Sequence, residues 1–169
     1  IAAVEARMPS ADDVGLVLSA WSIGTFPHEI DGAEHVMSVL TEPDRSYEAR
    51  QLGNQWLVYL ELARGKRMAA RQHLDALTRI APGVGLEVEA DVVTIPFVPA
   101  TDAELSDVAE RLAALDPATI RPSGNPSVVF SSHDELHPLI REYRLGLLRA
   151  RLGDADAALR HAETLRAME

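Results

Sequence analysis

The sequence has no cysteine. That excludes disulfides, thiolate zinc sites and cysteine nucleophiles together, and it leaves the redox compartment open. No apolar run approaches the ~20 residues that a membrane-spanning helix needs, and residues 1–10 lack the basic-then-apolar layout of a secretory signal. A cytoplasmic location without membrane contact is therefore expected. Lysine is nearly missing: Lys66 is the only one, and every other basic side chain is arginine. With an Ala- and Asp/Glu-rich remainder, this is the usage of a GC-rich bacterial genome. The net charge of −10 gives a field of the wrong sign for phosphate backbones or anionic lipid, so nucleic acid is an unfavourable partner. Gly83-Val84-Gly85 lacks the third glycine and the preceding strand of a dinucleotide-binding loop, and no Gly-x-Ser-x-Gly elbow occurs. No cofactor is expected.

What is present suits a folded chain. Apolar residues make up 47% and charged residues 25% of the 169, enough for a core beneath an ordinary polar surface. The chain opens at Ile1 inside an Ala/Glu/Arg stretch that reads as helix, which suggests a piece of a longer protein.

The strongest internal signal is a repeat. Leu60 to Leu77 aligns without gaps to Leu148 to Leu165, matching Leu60/Leu148, Gly65/Gly153, Ala69/Ala157, Ala70/Ala158, His73/His161 and Leu77/Leu165. Each segment reads as helix, glycine turn, helix, because reversing direction after a helix calls for a residue that enters left-handed φ/ψ space at little cost. Ala70 and Ala158 fall where the second helix would cross the first, and Gly146 is the small position facing Ala158. The run from Leu145-Gly146 to Leu152-Gly153-Asp154-Ala155-Asp156-Ala157-Ala158-Leu159 resembles the tetratricopeptide repeat family, and the earlier unit adds Pro82 where that family ends a repeat. Arg149, Glu61, Ala162 and Leu74 replace the family's usual aromatics.

The resemblance implies an all-α fold, with antiparallel helical hairpins stacked as a tetratricopeptide-like solenoid. One such domain over residues 1–169 would hold hairpins at about 12–41, 46–80, 84–115 and 136–168, with a loop at 116–135. Asp102 to Leu115 supports this independently, since Leu105, Val108, Leu112 and Leu115 form one helical stripe ended by Asp116-Pro117. Residues 86–98 stay ambiguous: Leu86, Val88, Ala90 and Val92 alternate like a strand, while Leu86, Ala90, Val93 and Phe97 share a helical face. A helix fits the repeat order better.

Candidate chemistry is sparse. His133 and His137 with intervening acids suggest a zinc-binding helix, but Asp134 stands where that motif needs glutamate and Pro138 follows the second histidine. Capping by Ser131 or Ser132 with Glu135 explains the segment more simply. Eight carboxylates between Glu87 and Asp116, opposed by Arg111, read as a solvated face. His73 and His161 sit at equivalent repeat positions and are read as partly buried or as part of a wet outer face.

The family likeness implies a non-catalytic protein-protein or peptide-binding scaffold, in the setting of a bacterial regulatory or signalling protein. Its ligand-binding concave face would carry Gln55, Tyr59, Tyr143 and Leu147, with no metal and no catalytic residue. Lys and Asn of the family's carboxylate clamp are missing at those positions. Two other readings stand beside it: a structural accessory to an enzyme domain elsewhere, and a metal-dependent hydrolase using His133 and His137. The apolar set Leu159, Ala162, Leu165 and Met168 on the last helix calls for cover by the 116–135 loop, with Val128, Val129 and Phe130, or by a second chain. A monomer or weak homodimer is expected.

Overall fold

The computed structural model describes residues 15, 16, 19, 29–116, 120 and 137–168, the side chain of His137 excepted. Among them the regular structure is entirely helical: α1 (Ile30–Val39), α2 (Tyr47–Ala63), α3 (Arg67–Ile80), α4 (Pro82–Thr94), α5 (Asp102–Ala114), α6 (His137–Arg151) and α7 (Ala155–Ala167). The expected first helix of the 12–41 hairpin lies outside the described residues, apart from Gly15, Leu16 and Ser19. So does nearly all of the 116–135 loop. The helices up to Ile80 belong to one compact unit and those from Ala81 to a second.

In the first unit α2 starts because Ser46 accepts a hydrogen bond from the Ala49 N–H at 3.0 Å, satisfying one of the helix's orphan donors. Its apolar positions Leu52, Leu57, Val58 and Leu62 are buried, and α2 packs against α1 on one side and α3 on the other. The contact with α1 is close. A Cβ at Gly53 would lie 2.8 Å from Leu40 Cβ and 3.2 Å from the Met37 carbonyl, so only glycine fits there.

The two glycine turns follow one hydrogen-bond scheme. Gly65 adopts φ +73°, its N–H reaches the Leu62 carbonyl at 2.9 Å, and the Lys66 N–H reaches the Glu61 carbonyl at 2.8 Å. Gly153 adopts φ +79°, with the matching bonds from Gly153 to Ala150 at 3.1 Å and from Asp154 to Arg149 at 3.0 Å. This is the left-handed helix stop that satisfies the last carbonyls. The repeat read from sequence is thus a repeat of backbone geometry.

In the second unit Pro82 occupies the first turn of α4, where its missing N–H costs no hydrogen bond. The ambiguous stretch is helical through Thr94. Ile95 then turns extended, as the residue before a proline is driven to do, and Val98 N–H closes a turn onto the Ile95 carbonyl at 3.0 Å. α5 opens with a capping box: Thr101 accepts from the Glu104 N–H while Glu104 accepts from the Thr101 N–H. α6 packs on both α4 and α5, and α7 on α6. The core is Ala90, Leu105, Val108, Ala109, Leu112, Leu145 and Leu148. Gly146 is the small position at the α6–α7 crossing, where a Cβ would meet His161 Cβ at 3.3 Å. On α7 Leu159 and Met168 are exposed and Leu165 half-buried; the loop expected to cover them is outside the described residues.

Gly53→Ala tests the α1–α2 contact. Helix propensity alone would favour alanine by about 1 kcal/mol, yet the clash should destabilise the protein by about 1 to 3 kcal/mol. Gly65→Ala, with nothing within 4 Å of its Cβ, should cost about 1 kcal/mol through left-handed strain. Urea midpoints check both, and a Gly53→Ala protein as stable as the wild type would contradict the packing.

Candidate functional site

The face that α6 leaves open is defined by what holds its other faces. Leu145 and Leu148 enter the core. Arg144 reaches across to α4, with Nε 2.6 Å from Asp91 Oδ1, Nη2 2.9 Å from Asp91 Oδ2 and Nη1 3.3 Å from Glu87 Oε1. This fork-to-fork pair is among the strongest hydrogen-bonded arrangements available to a guanidinium. One helical step of seven residues later, Arg151 donates from Nη1 to the Val93 and Ile95 carbonyls at 2.5 and 2.6 Å, and from Nη2 to the Val98 carbonyl at 2.6 Å. It thus binds one carbonyl in the last turn of α4 and two in the turn that follows. On the side towards α7, Glu142 Oε2 accepts from His161 Nδ1 at 2.8 Å.

With those faces occupied, Tyr143, Leu147 and Ala150 form an exposed stripe at i, i+4, i+7. Tyr143 is 56% and Leu147 37% exposed. They are two of the four residues expected on a binding face. Gln55 and Tyr59, their repeat equivalents on α2, are only half-buried, and the Tyr59 ring meets Trp56 edge-on at 6.1 Å between centroids. The four therefore stand as two pairs, one in each unit, and do not make one cluster within either. The Tyr143–Leu147 pair is the more open.

The acidic run from Glu87 to Asp116 is not simply a solvated face. Glu87 is buried and, with Asp91, holds Arg144, while Arg111 bridges Glu89 at 3.0 Å and Asp107 at 2.8 Å. Only Asp102, Glu104, Asp107, Glu110 and Asp116 are exposed. Sequence reasoning missed the part played by Arg144 and Arg151. The one local trace is the i, i+4 spacing of Glu87 and Asp91, which puts two carboxylates on one side of α4.

A second charged cluster ties α1 to the α2–α3 turn. Arg64 pairs with Asp31 at 2.5 Å and with Glu34, and lies 3.6 Å from Glu61; Lys66 lies 3.7 Å from both Glu34 and Glu61. Glu61 is only 1% exposed, and these two cations face its buried carboxyl group. Of the two readings of the equivalent histidines, partial burial is the one the structure has: both are half-buried. Asn54 donates from Nδ2 to the Arg50 carbonyl, leaving Oδ1 to accept from His73 Nδ1–H at 3.2 Å. Burial holds His73 below the usual histidine pKa.

Among the described residues no group of three His, Asp or Glu side chains could hold an ion, and His133 and the His137 side chain lie outside them. No described helix is long and apolar enough to cross a membrane. Comparison with protein-family models, curated proteins and solved structures finds no match to this chain.

Removing Arg144 would take a guanidinium away from the buried Glu87 and the half-buried Asp91. Arg144→Met should destabilise the protein by about 3 kcal/mol or more, and adding Glu87→Gln should recover part of the loss. Denaturant titration of the single and double variants checks this; a neutral single variant would refute the pairing. For His73, the folded-state pKa lies below the unfolded one, so its contribution is present above the unfolded value near 6.5 and is lost as pH falls through the lowered value. Between about pH 7.5 and pH 5.5 the wild type should lose more stability than His73→Asn, which keeps a donor at the Nδ1 position. Parallel melting curves would refute that assignment.

Proposed function

We propose that this chain is a non-catalytic, tetratricopeptide-like scaffold that binds a protein or peptide partner along the open face of α6. The observation that carries the reading is the Tyr143–Leu147 stripe. A tyrosine and a leucine one turn apart lie open to solvent on a helix whose remaining faces are engaged by core side chains, two arginines and a histidine pair. Rigid presentation of aromatic and aliphatic side chains lowers the entropy cost of association, which is what a binding hot spot requires.

The architecture supports the same reading. α6 packs on both preceding helices and α7 packs on α6, the neighbour scheme of stacked hairpins in which the first helix of each pair lines the binding surface. Tyr143 and Leu147 make the α6 face aromatic and aliphatic. It suits an apolar or mixed helix or extended segment better than an acidic one.

Peptide display on the purified chain tests the proposal, with Tyr143→Ala/Leu147→Ala as the comparison target. Apolar-rich peptides should be enriched on the wild type and bind the double variant about tenfold more weakly or worse, at an unchanged melting temperature. Failure to enrich any peptide, or equal affinity for both proteins, would remove α6 as the binding face.

A further inference from the structure

We draw no further inference here: the strongest candidate, the apolar face of α7 with Leu159 and Met168 exposed and Leu165 half-buried, carries nothing, because nothing in the structure shows what covers it.

Discussion

Everything known of α6 follows from the way its arginines are neutralised. Arg144 sits between α6 and α4 with little access to water, and Asp91 and Glu87 face its guanidinium there, Asp91 through two short hydrogen bonds. That pairing sets the rotation of α6 about its own axis. Once Arg144 faces α4 and Leu145 and Leu148 enter the core, helical geometry leaves Tyr143, Leu147 and Ala150 on the outside. Arg151, two turns along the same side, then braces the α4–α5 turn and with it Phe97. The open face proposed for binding thus traces back to one buried ion pair and the core side chains beside it.

The two glycine-turn hairpins show how a common backbone takes different polar chemistry. The turn hydrogen bonds coincide pair by pair, and each second helix sends a histidine back to the same place on the first. In one hairpin the receiving residue is Asn54, in the other Glu142. Trp56 occupies the position of Arg144, and Glu61 that of Arg149. The first hairpin consequently buries a carboxylate at its turn and holds it with Arg64 and Lys66, whereas the second uses its arginines to grip α4. Shared fold geometry therefore says little about which face carries function; the side chains inserted at matched positions do.

The repeat, its glycine turns, the α5 stripe and the small Gly146 position were legible in the residues because each depends on local chemistry. Gly65 and Gly153 must take positive φ wherever the hairpin goes, and Leu105, Val108 and Leu112 fall on one face of any helix that contains them. The stretch at 86–98 was not decidable locally, since its apolar spacing satisfied two periods. Packing against α5 and α6, with Pro96 and Pro99 downstream, settles it as helix to Thr94 followed by a turn. The acidic run illustrates the opposite error: charge along a chain reads as solvent-facing until a cation from 53 residues away is brought against it.

Sequence alone determined the helical class, the hairpin repeat and the positions of its turns. These follow from backbone preferences and from the 3.6-residue period, which operate over a few neighbouring residues. Tertiary structure decided which of the four candidate residues stand open, which carboxylates are spent on arginines, and that Phe97 is held outward. Burial and ion pairing are relations between distant segments, and no local pattern specifies the partner until the chain has folded.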